Sequence, residues 1–298
     1  MSDESLYPGW PLQRRNVNGV EIAYRTGGRG PALLLLHGYP QTHAIWHKVV
    51  PALAERFTIV VTDLRGYGDS GKPPTTPDHF PYSKRAMAAD QEALMRALGH
   101  ESFLLCGHDR GGRVAHRLAL DYPHAVERLI LLDVSPTRTM FEQTGFDFAK
   151  QYYHWFFLIQ PEPLPEKLIS ADPGFYLRKK TSSWGSAGGT FFDPRAFAEY
   201  ERCFTPEMIH ASCEDYRAAA SIDLEHDRAD ESARIACPVR VLWGESGVVN
   251  RLFKPIDDWQ AKCALPVTGR TTPSGHYIPE EASTVLLDEM LAFFGGSD

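Results

Sequence analysis

The residues that can do chemistry here are marked by their spacing. An apolar run, Phe103–Leu104–Leu105–Cys106, leads into Gly107–His108–Asp109–Arg110–Gly111, and a helical pattern follows. This is the G-x-nucleophile-x-G elbow, with a carboxylate where esterases carry serine. Small residues at 107 and 111 let strand and helix approach through a tight turn, which holds the nucleophile strained and exposed at the carboxyl end of the strand. Alone, Asp109 would suit a helix N-cap equally well. With a base nearby, a carboxylate in this position can displace a leaving group from carbon, form an ester and be released by water.

The expected order along the chain is nucleophile, acid, histidine. His276, in Thr272–Pro273–Ser274–Gly275–His276–Tyr277, falls on a loop just before a terminal helix predicted over Pro279–Phe294, where the base belongs. Two places can supply the acid. One is Asp133, directly after the run Leu129–Leu132; the other is the loop Gly244–Val249, which carries only Glu245. Asp133 is the choice made here. A further turn, His37–Gly38–Tyr39–Pro40, follows Leu33–Leu36, and the backbone N–H groups of Tyr39 and Arg110 are expected to form an oxyanion hole.

Arg110 and Arg113 stand three apart at the start of the helix and so share a face. A helix N-terminus is partially positive and disfavours cations. Two arginines there, beside a catalytic carboxylate, are a local conflict of the kind that marks function. Together they can fork onto a substrate carboxylate and keep Asp109 ionised. The bland alternative turns them outward, to pair with Asp121 or Glu127.

These residues need a frame. Val17–Asn18–Gly19–Val20 reads as a hairpin turn. Apolar runs at Ala32–Leu36, Thr58–Val61, Phe103–Cys106, Leu129–Leu132 and Val239–Trp243 read as strands buried on both faces. Helical patterns fall around Trp46–Arg56, Lys84–Leu98 and Gly112–Tyr122. Alternating strand and helix imply a doubly wound, mostly parallel α/β sheet. The alternation breaks over an aromatic- and proline-rich stretch, so residues 1–136 and 234–298 are expected to form the core, and 137–233 an inserted helical cap. The net charge of −7 gives no field for nucleic acid or an anionic membrane. Met1–Pro11 lacks the apolar segment of a signal peptide. Five cysteines without a CxxC pair suit free thiols in a reducing cytoplasm rather than disulfides or zinc. No metal or organic cofactor is expected.

HGYP, GHDRGGR, LLDVSPT, YYHWFF, CEDYRA and PSGHYIPEE together resemble the fluoroacetate (haloacetate) dehalogenases, an α/β-hydrolase-fold family, over about residues 16–294. The resemblance implies that Arg110 and Arg113 hold the carboxylate of a short haloacid. It implies that His154, Trp155 and Tyr216 bind the departing halide, that Trp184 lines the pocket, and that the chain is a homodimer. The halide roles make physical sense, because imidazole N–H, indole N–H and phenol O–H are all donors to an anion. The nearest rival is an epoxide hydrolase, with Tyr153 and Tyr216 protonating the epoxide oxygen. Arg110 stands where such enzymes usually carry Trp, and a neutral epoxide gains little from two arginines. A non-catalytic ligand receptor would not need the nucleophile, acid and base together.

Overall fold

The computed structural model describes residues 6–296, so the first five residues of Met1–Pro11 lie outside it. Among the described residues eight strands form one sheet: β1 (Gln13–Val17), β2 (Val20–Gly28), β3 (Ala32–Leu36), β4 (Thr58–Thr62), β5 (Phe103–His108), β6 (Val126–Leu132), β7 (Val239–Gly244) and β8 (Thr268–Thr272). Their order is β1-β2-β4-β3-β5-β6-β7-β8. β1 and β2 pair antiparallel, as do β2 and β4, and all other neighbours are parallel. Asn18 and Gly19 take φ of +50° and +77°, the left-handed pair that a two-residue hairpin turn requires. β3 and β5 are buried at every position, as their unbroken apolar runs predict.

Register places the chemistry. Leu36 lies beside Gly107, His108 beside Leu132, Leu132 beside Leu242, and Gly244 beside Thr272. The ends of β3, β5, β6, β7 and β8 are therefore level. The residues just beyond them (Tyr39, Asp109, Asp133 and His276) gather at one carboxyl edge, where open parallel sheets bind ligands.

Between β6 and β7, eight helices are inserted among the described residues. Several start on a capping residue followed by proline: Asp172 accepts from the Phe175 N–H, Asp193 from Arg195 and Thr205 from Met208. That is the pattern of an N-cap with proline at the first helical position. The longest of these helices, Pro206–Ala220, is almost wholly buried and packs on Tyr153–Leu158 and Leu164–Ala171. No helix among the described residues is long and apolar enough to cross a membrane.

Three expectations need correction. The helix predicted around Trp46–Arg56 is a 3-10 turn, His43–Trp46, and one helical turn, Val50–Leu53. Pro51 lacks an N–H and fits only a helix start, so it splits the pattern. The terminal helix is likewise two pieces, Ile278–Glu281 and Ser283–Gly295, with Ala282 in non-helical backbone between them. β8 lies outside the predicted apolar runs. It reads Thr-Gly-Arg-Thr-Thr and is largely exposed at the sheet edge.

The elbow is closely packed. A Cβ on Gly111 would stand 2.4 Å from the carbonyl oxygens of Leu36 and His37, and one on Gly107 would stand 2.5 Å from the Gly111 oxygen. Gly111→Ala is expected to cost at least about 2 kcal/mol, read as a thermal midpoint several degrees lower. Gly145→Ala, where a Cβ meets nothing within 4 Å, serves as the control. Equal melting of the Gly111 variant and wild type would contradict this account of the elbow.

Candidate active site

Asp109 follows β5 with φ +47°, a conformation L-residues seldom adopt outside sites that hold them there. It starts the helix Arg110–Asp121, yet its side chain makes no cap hydrogen bond. Its Oδ2 accepts instead from the backbone N–H of Tyr39 at 3.0 Å. The N-cap role is thus set aside, and the carboxylate faces the turn after β3. Asp133, just past β6, is also held at positive φ, +49°. Its Oδ2 accepts from His276 Nδ1 at 2.6 Å and its Oδ1 from the Gly244 N–H at 3.1 Å. The carboxylate fixes the proton on Nδ1, which leaves Nε2 to take a proton. Glu245, the rival acid, is exposed.

His276 is locked from several sides. Its backbone N–H donates to the Trp184 carbonyl at 2.9 Å. Its own carbonyl accepts from His108 Nε2 at 2.8 Å, and the two imidazole centroids are 4.7 Å apart. Burial holds His108 down at about 3, hence neutral. Burial also opposes charge on His276. The Asp133 hydrogen bond and charge, helped by Asp109, outweigh it and raise His276 above its usual 6.5. For Asp109, burial favours the neutral acid, but His276, Arg113 and Arg110 outweigh it and hold the carboxyl below its ordinary value. It is an anion at neutral pH.

Both arginines are buried, at 0% and 3% exposure, and neither pairs with Asp121 or Glu127. Arg110 donates Nε and Nη2 to the Asp215 carboxylate at 2.8 and 2.7 Å and stacks 4.1 Å over the Tyr216 ring. Arg113 donates Nη1 to Thr137 Oγ1 at 2.8 Å and lies 4.7 Å over Trp155. Arg110 Nη1 and Arg113 Nε are buried without a protein partner. Unsatisfied donors on buried cations are costly, and an anionic ligand is the natural partner for them. Burial, and then repulsion from Arg110, pushes Arg113 down to about 10, so it stays charged at neutral pH.

Aromatic residues of the inserted helices gather beside this edge. The His154 ring stacks 6.2 Å from Tyr39, lies tilted 4.5 Å from Trp184 and meets Tyr216 edge-on at 5.5 Å, and Trp155 lies 6.3 Å from Tyr216. His154 Nδ1 and Trp184 Nε1 are buried without partners. Burial, reinforced by Lys180, holds His154 well below 6.5 and so neutral. Burial also raises the Tyr216 phenol, which keeps its proton to donate. Tyr153 touches this group only at its edge, its ring 6.4 Å from that of His154. It is 45% exposed and carries the Lys180 ammonium 3.3 Å over its ring. It belongs to the rim of a cavity of about 470 Å³ that reaches His276 past Tyr152 and Trp184. The buried tyrosine is its neighbour Tyr152, 6.5 Å from the His276 ring.

Tyr152, His108 and Asp215 were not foreseen. The first two sit beside residues that were singled out, with no local signal separating them. Asp215 lies next to Tyr216, but its partner is 105 residues away. Among the described residues one group, Asp69–Glu199–Cys203, brings metal-type ligand atoms together. Arg202 already pairs with both of its carboxylates, so it reads as an ion-pair cluster.

The family model for the alpha/beta hydrolase fold matches residues 31–283. A fluoroacetate dehalogenase of Burkholderia sp is 44% identical over 94% of both chains. A soluble epoxide hydrolase of Corynebacterium sp. (strain C12) is 35% identical over 93% of this chain and 95% of its own. A solved alpha/beta hydrolase structure from Nostoc sp PCC 7120 is 51% identical, with a TM-score of 0.95 over 97% of this chain and 99% of that one. This chain belongs to the fluoroacetate dehalogenase family of the α/β hydrolase superfamily, a family of hydrolytic enzymes.

Proposed function

We propose that the enzyme hydrolyses short 2-haloacids, haloacetates first among them, to the 2-hydroxyacid and halide through an ester on Asp109. The observation that carries this reading is the pair of unpartnered donors, Arg110 Nη1 and Arg113 Nε, on two buried cations beside the nucleophile. A substrate carboxylate would satisfy both. The dehalogenase relative supports the same choice. The segment 137–233 is proposed to act as the cap that excludes water from this pocket.

In this mechanism Oδ2 of Asp109 rests on the Tyr39 N–H, which leaves Oδ1 to attack. Oδ1 bonds to the α-carbon as the carbon–halogen electron pair departs with the halide. His154, Trp155 and Tyr216, with Trp184 beside them, supply N–H and O–H donors to the leaving ion. Water then loses a proton to His276 Nε2 and adds to the carboxyl carbon of the ester. The charge that develops on Oδ2 is held by the Tyr39 N–H, joined by that of Arg110. Collapse expels the hydroxyacid oxygen, which recovers the proton from His276, and Asp109 keeps the oxygen from water. Asp133 orients the imidazole and steadies its positive charge.

The epoxide reading asks Tyr153 to face the nucleophile, and Tyr153 sits at the rim instead. Tyr152 with Tyr216 would be the pair to consider, so styrene oxide is the comparison substrate.

Three outcomes are expected. With chloroacetate in heavy-oxygen water, the first turnover yields unlabelled glycolate and later turnovers labelled glycolate; label in the first product would mean direct attack by water. Replacing His276 with Asn should give one equivalent of halide per site and then stop, with Asp109 heavier by one carboxymethyl group in the mass spectrum. Steady halide release would contradict the base assignment.

The third outcome concerns pH. His276 works as the neutral base, so turnover rises with pH as its proton is lost. Esterification removes the Asp109 charge that helps raise His276. The acidic limb of kcat should therefore lie below the His276 pKa measured by NMR in the free enzyme. Asp133→Asn removes a larger raising charge, moves the limb lower still and slows ester hydrolysis by about 10³-fold or more. An unmoved limb would contradict the triad.

A further inference from the structure

The fork between Arg110 and Asp215 ties up the guanidinium that would hold an anion. Arg110 gives Asp215 both edge donors and adds a third bond, Nη2 to the Asp215 carbonyl at 2.9 Å. A carboxylate in that position cancels most of a guanidinium's charge, which would leave Arg110 a poor anchor for an anion. Asp215, however, is shared. The Lys84 ammonium pairs with its Oδ1, and the Tyr67 O–H donates to its Oδ2 at 2.6 Å. Arg110, Asp215, Lys84 and Tyr67 are all buried. Behind Lys84 stands Asp223, whose Oδ2 is 3.6 Å from the ammonium and whose Oδ1 accepts the Lys84 backbone N–H at 2.8 Å.

The elements involved matter as much as the charges. Lys84 opens a core helix behind the N-cap Ser83, and Arg110 and Tyr67 also belong to the core. Asp215 and Asp223 belong to the inserted helices Pro206–Ala220 and Ile222–Ala229. Asp215 is followed directly by Tyr216, whose ring lies under the Arg110 guanidinium. The inserted segment thus sets the orientation of a core arginine, and does so one residue from a proposed halide donor.

We propose that Asp215 and Lys84 are a positioning pair for Arg110. Asp215 turns the guanidinium so that Nη1 alone is left for the substrate, and Lys84 draws on the same carboxylate so that Arg110 keeps the charge an anion needs. The proposal rests on the haloacid reading but makes its own demand. Lys84 touches no substrate, yet its removal must weaken anion binding, and removing Asp215 as well must restore part of it, because the cancelling charge leaves too. A purely structural role predicts the reverse, since losing both buried groups would do more damage than losing one.

The test uses the whole enzyme as wild type, Lys84→Met, Lys84→Arg, Asp215→Asn and the double variant Lys84→Met/Asp215→Asn, each first checked by thermal melting. Tryptophan fluorescence titration with acetate, an unreactive carboxylate, reads binding, and chloroacetate kinetics read KM against kcat. Lys84→Met is expected to weaken acetate binding and raise KM by about tenfold or more, with kcat changed less. Lys84→Arg should stay near wild type. The double variant should bind acetate more tightly than Lys84→Met alone, a favourable coupling in the double-mutant cycle. Unchanged acetate binding in Lys84→Met, or a double variant that binds acetate no more tightly than Lys84→Met alone, would overturn the proposal. If wild type releases no halide from any haloacetate, the haloacid reading fails on that result alone, and the acetate series still decides the role of the pair.

Discussion

The site depends on keeping opposite charges apart in a place with little water. The proposed attack on carbon needs Asp109 as a bare carboxylate, and Asp109 is buried. Burial by itself would protonate it; the surrounding imidazole and guanidinium groups outweigh that cost. At close range in a protein interior such charges interact far more strongly than at a surface. The guanidinium groups, in turn, cannot lie flat against Asp109 without consuming it as an ion pair. No hydrogen bond joins either one to Asp109. Arg110 is turned aside by Asp215, and Arg113 by Thr137 and the carbonyl of Ser135. Each cation helps keep Asp109 ionised and is tethered elsewhere, so neither is spent in a direct ion pair with it.

Backbone geometry meets the same requirement. Positive φ at both Asp109 and Asp133 goes with carboxylates set beyond the strand ends, that of Asp109 on the turn after β3 and that of Asp133 on His276. The glycines of the elbow exist to let a helix start within contact of two strand-end carbonyls. The Tyr39 N–H holds one oxygen of Asp109, which in the proposed mechanism leaves the other to attack. Two aromatic rings of the inserted helices lie directly against the cations, Tyr216 on Arg110 and Trp155 on Arg113.

Much of this could be read from the chain. The apolar runs located five of the parallel and central strands because burial on both faces leaves no room for alternation. The elbow, Asp133 and His276 were legible because each sits at a strand end with turn residues around it. The arginine pair stood out as an electrostatic conflict at a helix start. What escaped did so for physical reasons. β8 is an exposed edge strand with polar residues and no apolar run. Pro51 interrupts a helix pattern that periodicity alone continues. Tyr152 and Tyr153 are adjacent on a short helix entry, and sequence cannot say which ring turns inward. Lys84, Asp215 and Tyr67 lie on three separated segments, so their meeting is a property of the folded chain. The halide roles proposed for His154, Trp155 and Tyr216 rest on resemblance; the structure adds that the Tyr216 and Trp155 rings lie under the two guanidinium groups and that His154 packs against Tyr216.

The central claim is that the pocket is built for an anion next to the carbon under attack. The most direct measurement compares kcat/KM for chloroacetate with that for chloroacetamide, nearly the same size but without the charge, with styrene oxide as a third substrate. The account predicts a strong preference for the acid and little or no turnover of the other two. Chloroacetamide or styrene oxide turned over as well as chloroacetate would contradict it.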